Sequence, residues 1–146
     1  MKNVFLFSLL FSVLNCKISF AQNTPEGIVT EFFDLYKNKG GDKAIEYIFS
    51  TNPYAASSKE AIMQLEQNLK TAMENNGKFW GYDLLTTRKA GENLVMLTYL
   101  VKHDRDPITF RILFYKPNDK WQLQKFKFDD KMDDELEEAS KAYRLK

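Results

Sequence analysis

The chain is poor in the residues that carry most covalent and metal chemistry: of 146 residues, one is cysteine and one is histidine. A disulfide within the chain needs two cysteines, and an ordinary zinc site needs several nitrogen or sulfur ligands, so neither is expected. The longest apolar run, Val4 to Leu14, is about eleven residues, against the ~20 needed to span a bilayer core. There is no glycine-rich phosphate loop, nucleophile elbow or dinucleotide fingerprint. Nor is there an excess of one charge, since 21 basic residues face 20 acidic ones. What the chain has instead is aromatic bulk: 14% of residues, with twelve phenylalanines. That is enough to fill the core of one domain without staples.

The first residues read as a cleavable export signal. Lys2 supplies the positive start, Val4–Leu14 the apolar stretch, and Ser19-Phe20-Ala21 small residues at the −3 and −1 positions. Cleavage after Ala21 would start the mature chain at Gln22, giving a signal over 1–21 and one domain over 22–146. Leu14-Asn15-Cys16 offers a competing lipoprotein reading, but Asn15 is larger than the Gly or Ala expected before a lipidated cysteine. Cleavage after Ala21 removes Cys16, and with it thiol chemistry. It also removes Lys2 and Lys17, leaving 19 bases against 20 acids. A near-neutral domain has no general electrostatic reason to bind nucleic acid or an anionic membrane. The expected location is secreted or periplasmic, with no membrane insertion after cleavage.

Caps, stripes and breakers predict three helices. Thr24-Pro25-Glu26 starts the first, whose stripe is Ile28, Phe32, Leu35 and Tyr36, widened by Val29 and Phe33 and ended by Gly40-Gly41. Asp42 is placed to cap a short second helix burying Ala44, Ile45, Ile48 and Phe49, which Asn52-Pro53 breaks. Ser57 and Glu60 have capping-box spacing ahead of a third, with Ile62, Leu65, Leu69 and Met73 on one side and Asn75-Asn76-Gly77 at its end.

Beyond Lys78, β-branched and aromatic residues alternate between short turn signals. Strands are predicted over 79–88, 94–103, 107–116 and 120–128, and their short connections favour an antiparallel meander. Trp121 and Leu123 have one parity and Phe126 and Phe128 the other, so a β-bulge is expected near Gln124-Lys125. A bent sheet wrapping around helices would leave a cavity at one end. Apolar residues occur on both faces of the strands, which implies that the outer face is covered too. Residues 131–144 form a last helix with Met132, Leu136, Ala139 and Tyr143 on one stripe and acids opposite.

Glu31-Phe32-Phe33-Asp34-Leu35-Tyr36, and Pro117-Asn118-Asp119-Lys120-Trp121-Gln122-Leu123 at the start of the last strand, resemble the NTF2-like, or cystatin-like, α+β cone superfamily. The resemblance covers about residues 25–128. It implies an α+β fold of N-terminal helices packed on a curved four-stranded antiparallel sheet, here with a C-terminal helix. The superfamily includes isomerases, dehydratases, cyclases and binding modules, and its members often dimerise through the sheet. Fold alone does not choose among these activities.

Candidate chemistry is sparse. His103 falls at the turn His103-Asp104-Arg105-Asp106, where it is expected to face water rather than the pocket and orienting carboxylate that a general base needs. Asp83 would be the base of an isomerase-like site with Tyr99 or Tyr36 as donor. It shares parity with Phe79, Gly81 and Leu85 while Trp80, Tyr82 and Leu84 take the other side, so its direction is open and an outer-face position is favoured. Arg111 lies on a face with Thr109, Leu113 and Tyr115. There it could hold a carboxylate ligand bidentately or pair with a cross-strand acid. Asp129-Asp130 and Asp133-Asp134-Glu135 have no calcium-loop spacing and read as a solvated helix start.

The expectation is therefore a non-enzymatic exported domain binding a small apolar or amphipathic ligand, or a protein partner. Trp80, Tyr99, Phe110 and Arg111 are the candidate ligand-binding residues, supported by Tyr82 and Tyr115. No catalytic residue, metal or cofactor is assigned, and a homodimer through the sheet is a further expectation. A small lyase or isomerase using Asp83 is the alternative, and a filled cone without a cavity would instead mark a protein-interaction domain.

Overall fold

The computed structural model describes residues 24–144, so the predicted signal, Cys16 and the Ala21 cleavage site lie outside the described residues. The chain runs through helices α1 (Pro25–Lys39), α2 (Gly41–Ser50) and α3 (Lys59–Asn76). Strands β1 (Phe79–Lys89), β2 (Leu94–His103), β3 (Ile108–Tyr115) and β4 (Gln122–Asp129) follow, and helix α4 (Met132–Arg144) comes last. The class is α+β, and the sheet is an antiparallel meander in the order β1-β2-β3-β4. Among the described residues, no helix is long and apolar enough to cross a membrane.

Helix α1 forms as its sequence dictates. Thr24 Oγ1 accepts the Gly27 N–H at 3.0 Å, Pro25 occupies the first turn, and Gly40 closes the helix at φ 103°, its N–H reaching Leu35 O. That conformation suits a residue without Cβ. The two later caps differ from expectation. Helix α2 begins at Gly41 on a Gly40 cap, so Asp42 sits inside the first turn, where it still meets the positive end of the helix dipole. The Ser57–Glu60 capping box does not form. A 3-10 turn over Ala55–Ser58 precedes α3, Ser57 Oγ donates to Tyr54 O at 2.8 Å, and Ser58 caps without a side-chain bond.

One glycine sets the helix layer. A Cβ on Gly41 would lie 2.7 Å from Met73 Sδ and 3.2 Å from Leu69 Cδ2, so its absence lets α3 close onto α2. Leu69 is fully buried there. Further along, Thr51 Oγ1 accepts the Leu123 N–H at 3.0 Å and Asn52 Nδ2 donates to Leu123 O at 2.8 Å. These bonds attach the end of α2 to β4 where the strand's own ladder is interrupted.

The interruption is the expected bulge. Leu113 pairs with Lys125 and Phe114 with Leu123, leaving Gln124 as the extra residue. Strand β1 has two more irregularities, at Trp80 and Leu85. Each inserts one residue and resets the inside–outside alternation. Phe79 and Tyr82 thus both turn to the helices although their parity differs.

Between helices and sheet the space is filled by rings. Phe33 stacks on Tyr82 with centroids 3.7 Å apart and on Phe110 at 5.9 Å, and meets Phe32 and Tyr99 edge-on at 5.2 and 5.5 Å. Phe32, Phe110, Ile112 and Phe114 have no exposed surface. Such pairs add about 0.5–1.5 kcal/mol each beyond their area burial.

Candidate functional site

The four candidate ligand-binding residues do not form one site. Tyr99 and Phe110 are cross-strand partners on the inner face and are part of the packed core. Burial raises the Tyr99 hydroxyl to a pKa of about 12, with Glu26 and Tyr82 adding to the shift. Arg111 is on the outer face, and Trp80, on its bulge in β1, is 61% exposed.

Trp80 is nevertheless held in place. Its Nε1–H donates to Asp104 Oδ1 at 2.6 Å, Asp104 Oδ2 accepts the Lys78 N–H at 2.8 Å, and Lys78 Nζ lies 4.0 Å from the centre of the indole ring. The Trp80 bond, then the Lys78 N–H, hold the Asp104 carboxyl below its ordinary pKa.

Arg111 takes the cross-strand role rather than that of an open anion site. Its Nη1 donates to Asp129 and its Nη2 to Glu135 in the first turn of α4. One guanidinium bond joins β3 to the end of β4, and the other fixes the root of α4 to the sheet. Beside it, Thr109 is fully buried and its hydroxyl has no hydrogen-bond partner.

Asp83 pairs in register with Leu100 on the outer face and bonds Lys102 Nζ at 3.1 Å, with 56% of its side chain exposed. Its carboxylate is not beside Tyr99, Tyr36 or Arg111, so the geometry required of a base on the inner face of the sheet is absent. His103 corrects a different expectation. It does not face water freely: its Nδ1 donates to Gly77 O at 3.0 Å and its Nε2 meets the Tyr36 hydroxyl at 3.0 Å. It is a bridge between α1, the end of α3 and β2. Among the described residues, no group of His, Cys, Asp and Glu side chains is placed to hold a metal ion.

An open groove of about 560 Å³ lies on the helical side, lined by Lys39, Asp42, Glu66, Lys70 and Met73 among others. Desolvation, then Glu46 and Asp42, raise the Glu66 pKa against the opposing pull of Lys43. The mixed ionic lining of the groove contains no serine, threonine, cysteine or histidine.

The outer face of the sheet is the feature that single positions did not show. Arg88, Met96, Leu113 and Lys125 lie in register across all four strands, an apolar pair between two bases. The next row is Thr86, Thr98, Arg111 and Lys127, and Leu94 pairs with Tyr115 on the other side. Met96 is 38% and Tyr115 40% exposed, and Leu94, Leu113 and Leu100 are half-buried. Arg88, Lys125 and Lys127 form no ion pair among the described residues. The signal in the sequence was the Leu94–Val101 run, apolar at both parities; the flanking bases needed the pairing register. Comparison with known protein families, curated proteins and solved structures finds no significant match for this chain.

Proposed function

We propose that this is a non-catalytic binding domain of the NTF2-like kind, exported by its N-terminal signal, that engages a protein through the outer face of its sheet. Support for the cone architecture comes from the element order, with helices on one side of a four-stranded meander bent by bulges in β1 and β4. The observation that carries the function is the contrast between the two sheet faces. The inner face is packed against α1 by interlocking rings, whereas the outer face keeps Met96 and Leu113 at or near the surface between Arg88 and Lys125, with Tyr115 exposed beside them. An apolar centre with a charged rim is the anatomy of a protein interface. A small ligand would require the Phe33–Phe110–Tyr82 stack to open.

The test is site-specific photocrosslinking in the native host, with a benzophenone side chain at Met96, Tyr115 or, as a control on the helical side, Lys70. An adduct of one defined protein mass from Met96 and Tyr115, and none from Lys70, is the expected result. Absence of adducts from the sheet positions, or a small molecule retained by the purified protein in native mass spectrometry, would overturn the reading.

A further inference from the structure

Helix α4 carries the same kind of unpartnered surface as the sheet. Its apolar stripe is Leu136, Ala139 and Tyr143, with Leu136 62% and Tyr143 82% exposed. The rest of the helix carries five acids, Asp133, Asp134, Glu135, Glu137 and Glu138, against two bases, Lys141 and Arg144. Glu135 pairs with Arg111, and Glu137 and Glu138 pair with Lys141, while Asp133 and Asp134 form no ion pair among the described residues. Among the described residues, the helix is engaged at its root, through Arg111 and Glu135 and a half-buried Met132. An amphipathic helix ordinarily buries its apolar stripe, and this one does not.

The two free surfaces match in shape and sign. The sheet offers an apolar centre of Met96, Leu113 and Tyr115 flanked by Arg88, Lys125 and Lys127; the helix offers an apolar ridge on a body that is acidic overall, five acids against two bases. Both sit on one chain, the requirement for a closed two-fold pair in which the same contact is made twice. A 13-residue helix is about 20 Å long, and the span from Thr109 to Tyr115 along β3 is also about 20 Å, so the ridge can cover the patch.

Resting on the outer-face reading above, we propose that the partner is a second copy of this chain and that the pair forms by exchange of α4. The helix of each protomer lies across the outer sheet face of the other. Leu136, Ala139 and Tyr143 cover Met96, Leu113 and Tyr115, and the helix acids meet the two basic rims. Opposite charges across the contact fix which way the helix lies and weaken the association as salt rises.

Sedimentation of the purified protein up to millimolar concentration tests this, with Leu136→Glu and Met96→Glu as variants. Both positions are exposed, so circular dichroism should show unchanged folds. The wild type is expected to dimerise, and each variant to raise the dimer Kd at least about tenfold. Mixing the two variants should recover association, because the intact helix of one then meets the intact sheet of the other. That recovery separates exchange from a sheet-to-sheet pair, in which Leu136→Glu would have no effect.

A strict monomer, or a dimer that survives Leu136→Glu, would overturn the proposal. So would a monomer in which Tyr143 becomes protected, showing that α4 folds back on its own sheet. If crosslinking from Met96 yields a different protein while the purified chain stays monomeric, the exchange fails and the outer-face reading stands.

Discussion

The hydroxyl of Tyr36 on α1 lies 3.0 Å from Nε2 of His103 at the end of β2. Because Nδ1 must donate to Gly77 O, Nε2 of the neutral ring is an acceptor and Tyr36 its donor. One imidazole thus ties the helical layer to the sheet and the α3–β1 connection. Replacing it with alanine leaves the buried tyrosine hydroxyl without this partner and the exposed Gly77 carbonyl to water. His103→Ala is expected to lower stability by about 1–3 kcal/mol in chemical denaturation, and Tyr36→Phe, which orphans only Nε2, by less.

The same tyrosine contributes to alkaline sensitivity. Burial raises Tyr36 well above the ordinary tyrosine range and brings Tyr99 to about 12. Both are neutral when protonated, so a raised folded pKa means that the fold favours the protonated form. Their contribution is fully present below the unfolded value near 10 and is lost as pH rises through the folded values. Melting temperature should therefore fall above pH ~10, with phenolate absorbance from these two residues appearing together with unfolding. Early, reversible titration of every tyrosine in the folded protein would contradict this.

Thr109 is fully buried on the outer face with its hydroxyl unpaired. Valine has nearly its shape and no polar atom. Thr109→Val is expected to stabilise the protein by about 1 kcal/mol, read as a rise in denaturation midpoint at unchanged slope.

Gly41 is where α2 and α3 touch, and a Cβ there would meet Met73 and Leu69. Met73 has a flexible side chain, but Leu69 is fully buried and has less room to move. Gly41→Val should cost about 1–3 kcal/mol by overpacking, and a Gly41→Val/Leu69→Ala double variant should show strong coupling in a mutant cycle.

Asp83 supplies a null prediction. Its ion pair with Lys102 is solvent-exposed on both sides. Asp83→Asn should change stability by no more than about 0.5 kcal/mol. A large loss would mean that the carboxylate has a role that its position does not explain.

The first helix and the meander were legible because their causes are local. Thr24, Pro25 and Gly40 mark the limits of α1, its stripe has the helical period, and the turns between strands are short enough to leave only antiparallel pairing. Even the Gln124 bulge could be read, from the parity change between Leu123 and Phe126. The capping box failed for a local reason of another kind: the 3-10 turn before α3 engages Ser57 with Tyr54, so the helix starts two residues after it.

The site was less legible. Tyr99 and Phe110 looked like pocket residues and are core, because rings from α1 reach the sheet and occupy the space a cavity would need. His103 looked solvated because its partners, Tyr36 and Gly77, are 67 and 26 residues away. Arg111 finds Asp129 and Glu135 only once β4 and α4 have turned back past β3.

By itself, then, the sequence determined the α+β class, the order of elements, and the residues with enough apolar bulk to form a core. Tertiary structure alone decided which side Asp83, Tyr82 and Trp80 take, and that Arg88, Met96, Leu113 and Lys125 form one row. The reason is geometric. Side-chain alternation in a strand has a period of two, so a single bulged residue, at Trp80 or Leu85, reverses everything after it. Where such a residue is inserted depends on the pairing between strands, which distant parts of the chain establish together.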